Sequence, residues 1–345
     1  ALPPSLTYLK APIQVNSAEL ASTLPRNLRK MDSPARISYN VLQHAPNCLE
    51  TLSIERTLPM VSAMQFPRAY KHLKMPLTIT IAETGLQLPE GLESLSFHPF
   101  SDAIHIPCFW SLLPAGLQAL TGTSISDFMG KAFVELPRGL KHLELDRITF
   151  PSSPNSTIPP LLDTHHLPRS LTHLHLGGLG SIPLADDCFA GLPPGLRHCH
   201  LSTPPDFHPK TPIPCLELRT LYLQLIPDSH APLEDILPLL PPKLTRLSFT
   251  YPGYAKKPEA PLNLTPYHLA TLPRGVTLLN LPSEIKWEPI QRPPGIPINL
   301  ETIRFGWWVF NFVAPPKPMS SYQERSKRIF NTVAAVAKRP RGPRR

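Results

Sequence analysis

Apolar residues recur along this chain in one short pattern, Leu-Pro-x-x-Leu-x-x-Leu-x-Leu. The stretches LPRSLTHLHL, beginning at Leu167, and LPPGLRHCHL, beginning at Leu192, show it most plainly. The last apolar positions alternate with polar ones, which is the pattern of a short β-strand that buries one face. The proline fixes one φ angle and donates no hydrogen bond, so the first half of the unit predicts a turn that enters the strand.

The unit recurs in one phase along nearly the whole sequence. Thirteen copies begin at Leu2, Leu24, Ala45, Phe66, Leu88, Leu113, Leu136, Leu167, Leu192, Pro214, Leu240, Leu272 and Ile296. One unit cannot bury its leucines alone, whereas stacked neighbours bury a continuous core. An apolar residue three before the Leu-Pro (Phe133, Phe189, Leu237, Leu269) predicts a short helical or 3₁₀ turn there. The fold class expected is an α/β repeat solenoid over 1–312, with a parallel sheet on its concave side and short 3₁₀, helical or irregular convex segments.

The period in the low twenties and the repeated phrase resemble the leucine-rich repeat superfamily. SLTHLHLG at 170–177 is similar in form to FNIP-type repeats, and LPxxL also occurs in LPX-type repeats of bacterial effectors. The sequence departs from the commonest consensus because it lacks the regular asparagine after the strand. The resemblance implies a protein-recognition scaffold, such as an adaptor or substrate receptor, since such repeats often accompany an F-box. No F-box is present; we expect that a segment before Ala1, where the chain begins within a repeat, is missing.

Composition narrows the class of protein. The 47 prolines against 16 glycines fit a proline at a fixed place in a repeated unit better than a flexible segment. Five cysteines form no CxxC pair, which favours a reduced intracellular chain in the cytoplasm or nucleus. No signal peptide is visible, and the longest apolar run, 305–314, is too short to span a bilayer. We therefore expect a monomer with no membrane contact and no cofactor.

The net charge of +9 is concentrated at one end. Residues 313–345 contain nine Lys or Arg and one acid, while the rest of the chain is nearly balanced. Nucleic-acid or acidic-surface binding is therefore expected only through this basic tail, with contacts from Lys338, Arg339, Arg341, Arg344 and Arg345. A solvated tail and a nuclear-import signal are the alternatives. Ser321 and Glu324 match a capping box and predict a short amphipathic helix before the tail's end.

The residues on either side of the middle apolar residue of each strand should point away from the core. They predict a partner-binding concave face, whose candidate residues are His72, Lys74, His142, Glu144, His173, His175, His198, His200, Tyr222 and Arg246. The last four histidines are predicted to form a compact square on adjacent strands. Imidazoles so placed could bind Zn²⁺, Cu²⁺ or Ni²⁺, or form a pH-sensitive patch. Recurrence of histidine at one repeat position favours a general polar binding surface, without a metal.

No combination of residues indicates catalysis. Cys199 stands in place of a core leucine and is predicted to be buried, and the pair Asp186 and Asp187 has no partner that the sequence identifies. The aromatic stretch IRFGWWVFNFV at 303–313 is predicted to cap the end of the core; an exposed docking patch is the alternative. The function expected is therefore a non-catalytic scaffold that recognises a protein partner.

Overall fold

The computed structural model divides the chain into two compact units, Ala1–Leu196 (unit 1) and Arg197–Arg345 (unit 2). The structure describes residues 2–11, 23–37, 45–57, 66–77, 87–99, 109–123, 132–148, 163–178, 187–202, 211–224, 233–250, 263–282, 286–287, 297, 299–305 and 308–311. The basic tail, its predicted helix and Cys108 lie outside these residues. The predicted boundary between a repeat domain and a tail at residue 312 stays a prediction.

Unit 1 contains eight parallel strands that pair in chain order. They are β1 (Tyr8–Lys10), β2 (Lys30–Ile37), β3 (Thr51–Thr57), β4 (His72–Leu77), β5 (Ser94–Pro99), β6 (Ala119–Thr123), β7 (His142–Ile148) and β8 (His173–Gly178). Helix α1 (Ala132–Glu135) and two 3₁₀ segments, Trp110–Leu112 and Thr164–His166, lie between strands. Each of these segments directly precedes a Leu-Pro pair, and α1 contains Phe133, one of the apolar residues at which such a turn is predicted.

Unit 2 continues the same arrangement. Its strands are β9 (His198–Ser202), β10 (Thr220–Gln224), β11 (Arg246–Thr250), β13 (Leu278–Leu281), β15 (Thr302–Phe305) and β16 (Trp308–Asn311), with β12 (Asn263–Leu264) and β14 (Lys286–Trp287) as a separate parallel pair. Helix α2 (Leu233–Ile236), the 3₁₀ segment Leu237–Leu239 and helix α3 (Pro266–Thr271) complete the described elements. Strand β16 pairs antiparallel with β15, so the aromatic stretch turns back on the last repeat. Its predicted role as a cap stays a prediction, because the side chains of β16 are outside the described residues.

The proline turn is the feature that every repeat shares. The amide of the second apolar residue donates to the carbonyl of the residue three before it, as from Leu6 to Pro3 at 3.1 Å and from Leu196 to Pro193 at 3.1 Å. The same bond occurs in all thirteen repeats, and only at Cys215 is the acceptor residue not proline. The prediction that this phrase is a turn is therefore confirmed, and it explains the high proline content.

A second ladder of backbone bonds joins consecutive repeats at the start of their strands. The carbonyl of Thr7 accepts from the amides of both Arg29 and Lys30, at 2.9 and 3.0 Å, and the pattern is repeated through each unit. The fourth residue of the repeat, which lies in the turn and is position four below, adds hydrogen bonds from its side chain to the preceding repeat. One example is the bond that Ser170 Oγ donates to the carbonyl of Arg138 at 2.7 Å. Backbone amides and carbonyls at the start of each strand are therefore paired with the backbone of the neighbouring repeat, and side chains such as Ser170 add further bonds.

The core consists of the apolar residues of the repeat. In each of the thirteen repeats the middle apolar residue of the strand is buried, from Leu9 and Met31 in unit 1 to Cys199 and Ile303 in unit 2. Cys199 is 1% exposed, which confirms that it substitutes for a core leucine. The four apolar residues predicted to precede the Leu-Pro pairs are also buried: Phe133, Phe189, Leu237 and Leu269. No helix among the described residues is long and apolar enough to cross a membrane.

Candidate functional site

The repeats form parallel strands, and the registers of these strands fix which side chains share a face. In every described strand pair of the repeats, the residue before the middle apolar residue aligns with its counterpart in the next repeat. The residue after it does the same. We call the surface that carries these two rows the ladder face. The repeat phase predicted from the sequence is confirmed at each of these registers.

The ladder face of each unit contains two rows, which run across the strands. In unit 1 the first row is Tyr8, Lys30, Thr51, His72, Ser94, Ala119, His142 and His173, and the second is Lys10, Asp32, Ser53, Lys74, Ser96, Thr121, Glu144 and His175. In unit 2 the first row is His198, Thr220, Arg246, Leu278 and Thr302, and the second is His200, Tyr222, Ser248, Asn280 and Arg304. All ten predicted partner-binding residues of the repeats lie in these rows.

Exposure differs along the rows, and the histidines are less exposed than the sequence suggests. His72, Lys74 and Arg246 are exposed, while the remaining predicted residues are half-buried. Thr220 and Ser248 are buried, because each is a short side chain between longer neighbours about 4.8 Å away on adjacent strands. The ladder face is therefore a packed layer of side chains and not a row of isolated ones.

In unit 1, β7 and β8 bring two predicted histidines into contact. The rings of His142 and His173 lie with centroids 5.2 Å apart and planes inclined by 35°. His142 Nε2 is 3.5 Å from a carboxylate oxygen of Glu144, and His173 Nδ1 is 2.9 Å from the hydroxyl of Thr172. These contacts orient both imidazoles on the ladder face.

His175 is half-buried on the same strand as His173. Burial lowers the pKa of its imidazole below the ordinary value of 6.5; the negative charges of Glu144 and Asp146 oppose that shift, and His142 adds to it. Gly177, two residues further along β8, leaves room for this arrangement. A Cβ added there would lie 2.6 Å from Asp146 Oδ1 and 3.0 Å from His175 Nε2. The neutral form of His175 is therefore favoured in the folded protein.

In unit 2, the predicted residues form a second group. The rings of His200 and Tyr222 lie 5.8 Å apart at an angle of 49°. Burial lowers the pKa of His198, and the positive charges of Arg219, Arg246 and Arg197 lower it further. Two of those three arginines are not strand residues: each comes directly before its strand.

The predicted histidine square draws on both units, because His173 and His175 belong to unit 1 and His198 and His200 to unit 2. It stays a prediction. Among the residues that the structure describes, no group of three or more His, Cys, Asp or Glu side chains is arranged to hold a metal ion.

The structure corrects one reading and adds residues that the sequence did not identify. Asp187 has a partner: its carboxylate lies 3.6 Å from Nε2 of His165, in the 3₁₀ segment before the preceding turn. Asp146, Gly177, Arg197 and Arg219 are the additional residues. The first two lie where the strand alternation continues one step beyond the repeat consensus, which is the signal that could have identified them. Asp186, the tail residues and the aromatic side chains after 304 lie outside the described residues.

Comparison with known proteins gives structures but no sequence relatives. No family model and no curated protein matches the chain. The chain is similar to CroV588, a circular leucine-rich-repeat protein, with 17% identity over 88% of this chain and 50% of that chain, at a TM-score of 0.35. It is also similar to the leucine-rich-repeat-containing protein LegL7 from Legionella pneumophila, with 11% identity over 96% and 98% of the two chains and a TM-score of 0.36. The chain thus spans half the length of CroV588.

Proposed function

We propose that this protein is a non-catalytic repeat scaffold that binds a protein partner through the ladder face. The observation that supports it best is the register, which aligns two rows of side chains in each unit that the leucine core does not use. Strands tied by regular backbone bonds hold these side chains in place before a partner arrives. Less conformational entropy is therefore lost on binding.

The chemistry of the rows suits recognition of a protein. Tyr222 and Arg246 are of the residue types enriched at binding hot spots, and they lie on neighbouring strands. Tyr222 is also aligned with His200 on the strand before it. Histidine and tyrosine present both an apolar ring and a hydrogen-bonding atom. We infer a mixed polar and aromatic contact surface of the kind that an adaptor or substrate receptor uses.

Two of the five cysteines, Cys199 and Cys215, are consistent with a role without catalysis. Cys199 is buried in the core, and burial raises the pKa of the Cys215 thiol to about 12. A thiol with so high a pKa has almost no thiolate at neutral pH, and the thiolate is the nucleophilic form. Neither residue is therefore suited to covalent chemistry.

Site-specific photocrosslinking tests this proposal with matched tyrosines. A photoreactive phenylalanine replaces Tyr222 on the ladder face in one protein and Tyr267 in helix α3, which is 68% exposed, in another. We expect irradiation in an extract of the native cell to give a discrete protein adduct at position 222 and none at 267. The adduct should disappear in a variant with Lys74 and His142 replaced by serine, and also in a variant with Arg246 replaced by serine. Melting curves should show that all variants fold. Adducts at 267 alone, or none at 222, would contradict the proposal.

A further inference from the structure

Three arginines surround one histidine at the start of unit 2. Arg197 comes directly before β9, Arg219 directly before β10, and Arg246 is the first residue of β11. All three are exposed, and the charge of each acts on the imidazole of His198. We call these three residues the arginine cluster.

Backbone bonds hold the arginine cluster together. The amide of Arg219 donates to the carbonyl of Arg197 at 2.9 Å, and the amide of Arg246 donates to the carbonyl of Arg219 at 2.9 Å. Consecutive strands of a sheet lie about 4.8 Å apart, so the three residues span about 10 Å across the strands. Thr220 lies between His198 and Arg246 in the first row and is 7% exposed. Its short side chain leaves a shallow depression between those of its two longer neighbours.

Among the described residues, Glu217 is a carboxylate on which two arginines of the cluster act. Its pKa is lowered first by a hydrogen bond from Lys243, then by the charge of Lys243, and further by the charges of Arg219 and Arg197. Lys243 thus balances the charge of Glu217. Among the described ladder residues of unit 2, none is acidic, whereas the rows of unit 1 contain Asp32 and Glu144.

We propose that the arginine cluster binds an extended acidic segment of the protein partner, with carboxylates at alternating positions. This inference rests on the proposed function and identifies the chemistry of one part of the contact. Guanidinium groups bind carboxylates through paired hydrogen bonds, and alternate residues of an extended segment lie about 6.6–7 Å apart. Long arginine side chains that start from strands about 4.8 Å apart can spread far enough to reach carboxylates at that spacing. Three arginines are fewer than the roughly six to ten phosphate contacts that tight nucleic-acid binding uses, which favours a peptide.

Fluorescence anisotropy of the full chain with a defined peptide tests the proposal. The probe is a short labelled peptide with three glutamates at alternating positions and no basic residue. Replacing Arg197, Arg219 and Arg246 with serine should raise its Kd roughly tenfold or more and flatten the dependence of Kd on salt. The matched control replaces Arg26, Arg138 and Arg169 with serine. These exposed residues lie in the turns of unit 1, and the same charge is removed. This control should change the Kd by no more than about twofold, since exposed charges far from the site are screened.

The basic tail also attracts anions, so a third protein has Lys338, Arg339 and Arg341 replaced with serine. The proposal is overturned if this tail variant weakens peptide binding as much as the cluster variant does, or if the turn control does. It is also overturned if an oligonucleotide of equal charge depends on the cluster more strongly than the peptide does. If photocrosslinking at position 222 persists while the Kd of the peptide does not change in the cluster variant, the scaffold proposal stands and the acidic-segment proposal fails. If the peptide depends on the cluster but no adduct forms at 222, the cluster binds acidic peptides, and both the scaffold proposal and the assignment of that peptide to a protein partner fail.

Discussion

At the scale of single residues, position four of the turn shows how tightly consecutive repeats approach. Several repeats have glycine there, and the space around those glycines differs. A Cβ on Gly139 would lie 3.8 Å from the nearest backbone oxygen, which is ordinary contact. On Gly275 it would lie 2.9 Å from the carbonyl oxygen of Leu244 and 3.1 Å from that of Pro242.

We therefore predict opposite effects of the same substitution. Gly275→Ala should lower the free energy of unfolding by about 1–3 kcal/mol, because the backbone of the preceding turn must move. Gly139→Ala should be neutral or raise it by about 0.4–1 kcal/mol, because alanine reduces the freedom of the unfolded chain. Urea unfolding of both variants measures the difference, and equal destabilisation would show that the two turns are not packed as described.

His175 gives a prediction for pH. Its pKa is lowered in the folded protein, so the unfolded chain binds the proton more readily. The free energy of unfolding should therefore have its full value above about pH 6.5 and fall as the pH drops below that value. His175→Gln should lose less stability between pH 7.5 and 5 than the native chain does, while the two curves run parallel at pH 8. A native chain whose stability does not fall in this window any faster than the variant's would contradict the assignment.

At the scale of elements, each strand separates a core side from a ladder side within a few residues. In β8, Leu174 and Leu176 are buried while His173 and His175 are half-buried between them. The strand thus uses its leucines for stability and presents its polar residues on the other face. This alternation is what makes the ladder face open to substitution.

The alternation predicts a contrast between two neighbouring residues. Leu174→Ala should cost about 2–5 kcal/mol, because it leaves a cavity in the core. His173→Ser should stay within about 0.5–1 kcal/mol, since it removes only half-buried contacts on the ladder face. Thermal melts of the two variants check this. A histidine variant as unstable as the leucine variant would place His173 in the core.

At the scale of the whole molecule, charge is distributed unevenly along the chain. The net charge of +9 is almost entirely a property of residues 313–345, yet unit 2 also carries the arginine cluster within the repeats. The two features therefore predict different ligands: an acidic peptide for the arginine cluster and extended polyanions for the tail.

Replacing Lys338, Arg339, Arg341, Arg344 and Arg345 with glutamine tests the second ligand. We expect most salt-dependent affinity for single-stranded DNA to be lost without a change in melting temperature. The slope of log K against log salt should become shallower by about 0.7 for each phosphate contact removed. The serine variant of Arg26, Arg138 and Arg169, which removes three positive charges from unit 1, shows how much a smaller loss of charge elsewhere on the chain changes DNA binding. DNA binding that survives the tail substitutions would contradict the assignment to these five residues and would place it on the repeats or on the four other basic residues of 313–345.

The sequence alone determined the repeat, the turn, the buried leucines and the two rows of the ladder face. These follow from a period-two pattern and a proline at a fixed position, both of which act within ten residues of chain.

The tertiary structure decided which side chains of different repeats meet: His142 with His173, Asp187 with His165, and the arginines around His198. Such contacts depend on insertions of different length between repeats and on the direction in which long side chains extend. Neither quantity is encoded in the local alternation of apolar and polar residues. Burial was likewise a tertiary outcome, because a short side chain such as Thr220 is covered by its neighbours on other strands and not by its own sequence context.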